Sequence, residues 1–289
     1  MNIYTTSISD DIIAALVKKI KEKKEFKTVD DGFCLEKIRQ FLVLNRKMRE
    51  KCAAAQKYAD IERSADIKKL IKEIRALLRT SYGLFQHGDI EKARQMIQKT
   101  KKNEHLLPAL LELHASTKER LPHYLRFFKD IFGIVGKADS ILDLGCGFNP
   151  LAVPWMGHAP KTYAAVELYE TDVAFIKEYF KRTAHETKLE AHTIDLEKKE
   201  QRLVLYHKKY DLVFALKLFD LLKKKTVEDL AQNIHCRWLA ASFSTKTIAG
   251  KRMNVPRRGW FQKMLRRLGY SFTTLTYENE LVYLVKKED

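Results

Sequence analysis

The stretch Ile141-Leu142-Asp143-Leu144-Gly145-Cys146-Gly147-Phe148-Asn149-Pro150 decides the fold of this chain. Its apolar start predicts a buried strand, and the strand runs into a Gly-x-Gly turn. Glycines at such a turn let the backbone come close to a nucleotide-like ligand. Proline stands where a third glycine would complete a dinucleotide fingerprint. A dinucleotide cofactor is therefore disfavoured.

Charge along the chain points to a polyanionic partner. The net charge is +17, and residues 246–267 carry eight lysines and arginines without an aspartate or glutamate. A mixed surface would not segregate charge so strongly, so this stretch predicts contact with nucleic acid. The alternative is a solvated basic face. The predicted RNA contacts are Lys246, Lys251, Arg252, Arg257 and Arg258.

Length and cysteine usage limit the class of protein. The 289 residues, 45% of them hydrophobic, suffice for two modest domains with real cores. The four cysteines are scattered, with no pair at metal-ligand spacing, which predicts no metal site and no disulfide. No apolar run has the length of a membrane span, and the first ten residues are not a signal peptide. We expect a cytoplasmic protein that does not contact membranes.

The first part of the chain has helical periodicity. Apolar residues recur at helical spacing from Ile12 to Ile20, with Ser9 or Asp10 as N-cap. Further helices are predicted over Cys34–Tyr58 and Ala65–Leu78, and another after Gly88-Asp89. We assign residues 1–105 to a helical accessory domain that binds RNA, and residues 106–289 to a second domain.

The second domain alternates strands with helices. That alternation predicts an α/β fold with a parallel, doubly wound, Rossmann-like sheet, closed by an antiparallel hairpin. The predicted strands are Ile141–Leu144, Thr162–Glu167, Glu190–Asp195, Tyr210–Leu216, Arg237–Phe243, Tyr270–Tyr277 and Glu280–Val285, and predicted helices cover Asp172–Arg182 and Phe261–Leu268.

Acidic residues end three successive predicted strands. Asp143 precedes the glycine turn, Glu167 ends the second strand and Asp195 ends the third. A carboxylate such as Glu167 can accept both ribose hydroxyls of a nucleoside, and Asp195 can accept from an adenine amino group while Leu196 covers the ring. Alone, each acid is more often a helix cap or a solvated side chain. Together with Asp-x-Gly-x-Gly, they resemble the S-adenosylmethionine (SAM) site of SAM-dependent methyltransferases.

Five motifs carry a closer resemblance. They are Leu113–Arg120, Gly145–Ala152, Phe214–Leu218, Ser242–Lys246 and Asn279–Tyr283. In this order they resemble the small-subunit rRNA guanine-N7 methyltransferases that confer aminoglycoside resistance. The resemblance implies a Rossmann-like SAM-dependent methyltransferase fold with an N-terminal all-helical domain.

The resemblance also implies roles for individual residues. Arg120 would pair with the methionine carboxylate of SAM, Lys217 would lie near the target base or a phosphate, and Glu280 would face the target pocket, the last two being the catalytic candidates. The implied cofactor-binding residues are His114, Ala115, Ser116, Arg120, Asp143, Gly145, Gly147, Glu167, Asp195, Leu196 and Leu218.

The implied reaction is methylation at N7 of a decoding-site guanine in 16S rRNA of the assembled small ribosomal subunit, by a monomeric enzyme. Because N7 carries a free lone pair, the site needs alignment rather than a strong base. Asp220 and Ser244 stand where this family usually has proline, on the target side. Two alternatives stay open: another rRNA or tRNA nucleotide, or a non-catalytic RNA-binding or ribosome-assembly protein with a vestigial SAM fold.

Overall fold

A computed structural model describes residues 8–23, 26–27, 29, 31–78, 90–99, 106–183, 186–246 and 258–287. The chain divides into two compact units, residues 1–84 and 85–289. This division precedes helix α5 (Ile90–Lys99), which the sequence analysis placed in the first domain. The apolar side chains Ile90, Ala93 and Ile97 are buried in the core of the second unit, and this burial explains the earlier division.

The first unit is helical, as predicted. It contains α1 (Asp10–Lys21), α2 (Asp31–Leu44), α3 (Arg46–Ala54) and α4 (Ala65–Leu78). The Ser9 hydroxyl caps α1 by accepting a hydrogen bond from the Ile12 N–H at 3.4 Å, as expected of an N-cap. Buried isoleucines and leucines line one face of α1 and one face of α4.

One predicted helix of this unit was wrong in its extent. Instead of running unbroken over Cys34–Tyr58, the chain leaves the helix at Asn45, whose backbone lies at φ −121° and ψ 78°. The Asn45 side-chain amide donates to the Phe41 carbonyl at 2.8 Å. Asparagine offers the backbone this local alternative to helical hydrogen bonds, so α2 and α3 are separate helices.

The second unit contains one seven-stranded sheet, in the order β3-β2-β1-β4-β5-β7-β6. Neighbouring strands from β3 to β5 are parallel, and β7 is antiparallel to both β5 and β6. The strands are β1 (Ser140–Leu144), β2 (Thr162–Glu167), β3 (Lys188–Thr193), β4 (Lys209–Leu216), β5 (His235–Ser244), β6 (Ser271–Thr276) and β7 (Glu280–Lys286). The doubly wound sheet and its closing hairpin confirm the predicted fold.

Helices cover both faces of this sheet. They are α6 (Leu107–Leu111), α7 (Ala115–Arg120), α8 (Tyr124–Val135), α9 (Glu170–Thr183), α10 (Lys199–Arg202), α11 (Lys224–Asn233) and α12 (Gly259–Arg267). In β1, Ile141 packs into one core and Leu142 into the other, as expected for a parallel strand buried on both faces. None of the helices in the described ranges has the length and apolarity needed to cross a membrane.

The strand order reverses between β1 and β4. From β1 the chain proceeds outward through β2 to β3, and from β4 it proceeds the other way to β5. In doubly wound sheets, ligands bind outside the carboxyl ends of the strands at this switch point. The turn after β1 and the residues after β4 therefore border the expected crevice.

Candidate functional site

The glycine turn after β1 leaves no room for a side chain. Gly145 and Gly147 have φ +56° and +50°, a left-handed conformation that favours glycine. A Cβ on Gly145 would lie 2.7 Å from Leu218 Cδ1, and one on Gly147 would lie 2.6 Å from His114 Cε1. The turn therefore brings two residues of the predicted cofactor set, Leu218 and His114, directly onto its backbone.

Glu167 is held against this turn. Its Oε1 accepts the Gly147 N–H, and its Oε2 accepts the Leu168 N–H at 2.9 Å. Burial raises the pKa of Glu167, and these two hydrogen bonds oppose the rise. Each carboxylate oxygen has a second lone pair. Glu167 can therefore accept from two further hydroxyl donors, as the ribose of a nucleoside requires.

Asp195 lies two residues beyond β3, which ends at Thr193 rather than at Asp195 as predicted. Its Oδ1 accepts the Glu197 N–H at 3.0 Å, while its Oδ2 accepts no hydrogen bond from the described part of the chain. The next side chain, Leu196, is buried. A free acceptor beside an apolar side chain suits an adenine amino group and ring.

Asp143 is fully buried beneath the turn. Its Oδ2 accepts from the Tyr163 hydroxyl at 2.6 Å and from the Asn149 amide at 2.8 Å. Its Oδ1 is buried without a hydrogen-bond partner among the residues described. Burial raises the pKa of Asp143 to about 7, against the opposing effect of the two hydrogen bonds. The Asp143 side chain supports the turn from below.

Arg120 forms a buried ion pair with Glu280. Arg120 Nε donates to Glu280 Oε2 at 3.0 Å and Nη2 donates to Oε1 at 2.8 Å, with side chains 1% and 0% exposed. Burial alone would raise the pKa of Glu280, but the Arg120 and Lys217 charges outweigh it and keep the pKa low. The sequence had treated Arg120 and Glu280 as separate residues, one facing the cofactor and one facing the target.

Two N–H groups of the Arg120 guanidinium have no hydrogen-bond partner among the described residues. Arg120 Nη1 donates to the Tyr124 hydroxyl at 3.2 Å, so three of its five N–H groups are used. The Tyr124 hydroxyl donates to Asn149 Oδ1 at 2.9 Å, and Asn149 in turn donates to Asp143. Sequence reasoning missed this buried chain of polar residues. The spacing of Arg120 and Tyr124, four residues apart across the junction of α7 and α8, was the available signal.

Lys217 has a strained backbone directly after β4. Its φ of +56° is the only positive value for a non-glycine residue in the described ranges, and such conformations cluster at functional sites. The Ser242 carbonyl (3.0 Å) and hydroxyl (2.9 Å) both accept its backbone N–H. Its side chain forms an ion pair with Glu119, a residue that the sequence analysis did not assign to the site.

The start of α7 contributes the remaining predicted residues. His114 precedes the helix, and its Nδ1 lies 3.0 Å from the Ser116 hydroxyl oxygen. Ala115 is buried and begins the helix. Because the His114 ring lies against Gly147, this helix start adjoins the glycine turn.

Two of the five predicted RNA contacts are paired with acids. Arg258 binds Asp220 through Nε at 3.0 Å and Nη2 at 2.6 Å, and its side chain is 13% exposed. Lys246 pairs with Glu278 at 2.9 Å. Asp220, a departure from the family pattern, thus has a structural partner. The other three, Lys251, Arg252 and Arg257, lie outside the described residues.

These features define a class of protein. A tight glycine turn, a carboxylate at the end of β2 and another two residues beyond β3 are suited to the ribose and adenine of SAM. The same crevice is bordered by Leu218 and Leu196, which can cover the adenine ring. The fold and this site are those of a SAM-dependent methyltransferase.

Comparison with known proteins identifies the family. A family model described as ribosomal RNA methyltransferase (FmrO) matches residues 103–284, and the chain belongs to this family. A relative from Micromonospora echinospora, named 16S rRNA (guanine(1405)-N(7))-methyltransferase, is 28% identical over 73% of each chain. Another of the same name, from Micromonospora rosea, is 30% identical over 57% of each chain.

Solved structures support the same fold. The 16S rRNA methylase ArmA is 27% identical, with a TM-score of 0.57, and the match covers 70% of this chain and 99% of that one. The 16S rRNA methyltransferase RmtF, crystallised with S-adenosyl-L-homocysteine, is 24% identical, with a TM-score of 0.69 over 97% of this chain and 100% of that one. The predicted fold, enzyme class and cofactor are confirmed.

Proposed function

We propose that this enzyme methylates N7 of guanine 1405 in 16S rRNA, the position named for its relatives, and thereby confers aminoglycoside resistance. The proposal depends on one observation: in a chain of this family, the glycine turn is intact and Glu167 accepts a hydrogen bond from the Gly147 N–H. A vestigial fold would have no need to retain this glycine turn together with the carboxylates of Glu167 and Asp195 near the ends of β2 and β3.

Individual residues are proposed to hold the cofactor, which supplies an electrophilic methyl group when bound. Glu167 accepts from the ribose hydroxyls and Asp195 Oδ2 from the adenine amino group, while Leu196 and Leu218 cover the ring. The spare N–H groups of Arg120 bind the methionine carboxylate. Asp143, Gly145 and Gly147 shape the turn, and the segment His114-Ala115-Ser116 lines the methionine end.

The target side is consistent with attack by N7. Both oxygens of Glu280 accept hydrogen bonds from Arg120, and Oε1 also accepts one from the Ser242 hydroxyl. With its pKa held low and no exposed surface, Glu280 is a poor proton acceptor. Guanine N7 has a free lone pair and no proton to lose. The site needs to orient the base, which Glu280 supports by fixing Arg120 and Ser242.

The partner is proposed to be the assembled small ribosomal subunit, bound by a monomer in the cytoplasm. Lys246, Lys251, Arg252 and Arg257 would contact phosphates, and the helical N-terminal part would extend the contact over the rRNA. Arg258 and Lys246 are proposed to act more weakly in RNA binding than Lys251, Arg252 and Arg257, because Asp220 and Glu278 already compensate their charges.

The test is to incubate the protein with labelled SAM and purified small subunits and to map the modified base by borohydride–aniline cleavage. We expect one cleavage, at guanine 1405. Cleavage elsewhere would instead favour methylation of another nucleotide. Absence of SAM binding in calorimetry would favour the non-catalytic alternative.

A matched pair of variants tests the cofactor assignment. Asp195→Ala should abolish SAM binding, because the free acceptor for adenine is removed. Glu200→Ala, which removes an exposed acid in the adjoining helix, should leave SAM affinity unchanged. Equal affinity of both variants for SAM would contradict the role of Asp195.

A further inference from the structure

A carboxylate with no role in the methyl-transfer proposal lies beside Lys217. Glu119, near the end of α7, has a side chain that is 49% exposed. Its Oε2 accepts hydrogen bonds from Lys217 Nζ and from Asn279 Nδ2, the latter at 3.1 Å. Its Oε1 accepts none from the described residues. Glu119 is thus anchored through one oxygen and presents the other to solvent.

The two residues that anchor Glu119 are themselves buried. The Lys217 side chain is 5% exposed, and its strained backbone is fixed by Ser242. Asn279 is 8% exposed, and its Oδ1 is a buried acceptor that has no hydrogen-bond partner in the described ranges. A carboxylate held in this way loses little entropy when it binds a ligand, which is the usual advantage of a preorganised site.

This group of three residues stands at the edge of the sheet where ligands bind. Lys217 directly follows β4. Asn279 directly precedes β7, whose first residue, Glu280, pairs with Ser244 at the carboxyl end of β5. The carboxyl ends of β4 and β5 border the same crevice as the glycine turn. A base positioned for methylation would therefore meet Glu119 from the solvent side.

Guanine and adenine differ at the edge that such a carboxylate would read. Both purines have a nucleophilic N7, so attack by N7 does not discriminate between them. The Watson–Crick edge of guanine offers two adjacent donors, N1–H and the N2 amino group, whereas adenine offers an acceptor at N1 and a single donor group at N6. An ionised carboxylate only accepts hydrogen bonds, so it can accept two from the guanine edge but only one from the adenine edge, where the N1 lone pair repels it.

We propose that Glu119, held by Lys217 and Asn279, reads the N1–H and N2 amino group of the extruded target base and selects guanine over adenine. This assignment rests on the proposed function and adds the residue that sets its base specificity. A base turned out of its helix exposes this edge to the enzyme. Lys217 then acts as a positioning residue, because its charge holds the carboxylate.

The test uses small subunits reconstituted from 16S transcripts that carry either guanine or adenine at the methylated position. In Glu119→Gln, the amide oxygen can still accept from Lys217, which turns the NH₂ group toward the base. We expect kcat/KM on guanine to fall about 10- to 100-fold, as for the loss of a hydrogen bond to a charged group. The ratio of guanine to adenine methylation should fall by at least the same factor.

Two further variants make the result decisive. Glu112→Gln changes an exposed glutamate at the end of α6 and should alter neither rate. Glu119→Ala removes the acceptor without adding a donor and should also lose the preference for guanine. SAM affinity, measured by calorimetry, should match the unmodified enzyme in all three variants.

Several outcomes would overturn the assignment. If Glu119→Gln and Glu119→Ala slow methylation of guanine while the guanine-to-adenine ratio stays constant, Glu119 only supports the structure. Unchanged rates on guanine, or a loss of SAM binding in both variants, would equally remove it from base recognition. If the unmodified enzyme labels no guanine in small subunits, it is the proposed function that fails, and this is seen before any variant is made.

Discussion

Replacing Glu280 by glutamine should destabilise the second unit through its buried ion pair. Arg120 stays protonated at any accessible pH, so the substitution leaves a charge that is 1% exposed without a counter-charge. The glutamine amide oxygen and the Tyr124 hydroxyl, at 3.2 Å, would remain as polar partners, but both are neutral. Breaking one side of such a pair costs about 3–5 kcal/mol. We expect the free energy of unfolding to fall by that amount.

The chain provides a convenient signal for this measurement. All three tryptophans, Trp155, Trp238 and Trp260, belong to the second unit. Urea unfolding followed by tryptophan fluorescence therefore reports on the unit that contains the ion pair. Glu278→Gln is the matched control, because its ion pair with Lys246 involves a carboxylate that is 72% exposed. Surface pairs contribute about 0–1 kcal/mol.

A double variant separates the lost partner from lost packing. Replacing Arg120 by methionine together with Glu280 by leucine removes both charges, and most of the lost stability should return, because apolar pairs of similar volume substitute well for buried ion pairs. The reasoning is refuted if Glu280→Gln unfolds at the same urea concentration as the unmodified protein, or if the double variant is less stable than Glu280→Gln.

Three further changes test other parts of the site. Burial raises the pKa of Asp143 from 3.8 to about 7. As pH rises from 4 to 8 the unfolded chain therefore ionises at Asp143 before the native state does, and the free energy of unfolding falls by up to about 4 kcal/mol. Asp143→Asn removes this effect, so its stability relative to the unmodified protein should increase with pH in urea titrations. Gly147→Ala should reduce SAM affinity at least tenfold in calorimetry, because the backbone there has φ +50° and the added Cβ would lie 2.6 Å from an imidazole carbon of His114. Gly157→Ala is the control: its φ is +78°, but no atom lies within 4 Å of the added Cβ, so SAM affinity should be kept. Reversing Arg252 and Arg257 to glutamate should weaken small-subunit binding and flatten its salt dependence while SAM binding persists; binding that is unchanged at low salt would contradict their role.

Most helices and strands of the fold could be predicted because each produces a local pattern of apolar residues in the sequence. The range of β2, Thr162–Glu167, was predicted to the residue, and α4, Ala65–Leu78, was predicted with approximate bounds that match the structure. Burial on two faces of a strand, or on one face of a helix, leaves a direct periodic signal in the sequence. The break at Asn45 was not predicted, because a side chain that can end a helix can also be tolerated within one. The predicted division after residue 105 differs from the division of the structure into residues 1–84 and 85–289, because periodicity does not say which core a helix joins.

The sequence alone determined the chemistry available to the site: glycines in the turn, acids near three strand ends, and a basic stretch for RNA. Only the tertiary structure decided how these groups are paired. Arg120 meets Glu280 across 160 residues, and Lys217 meets Glu119 across 98. Such pairs depend on β7 lying next to β5 and on α7 packing at the carboxyl end of β4. Which strands and helices become neighbours depends on how whole faces of the sheet are buried, and this cannot be read from any local stretch of sequence.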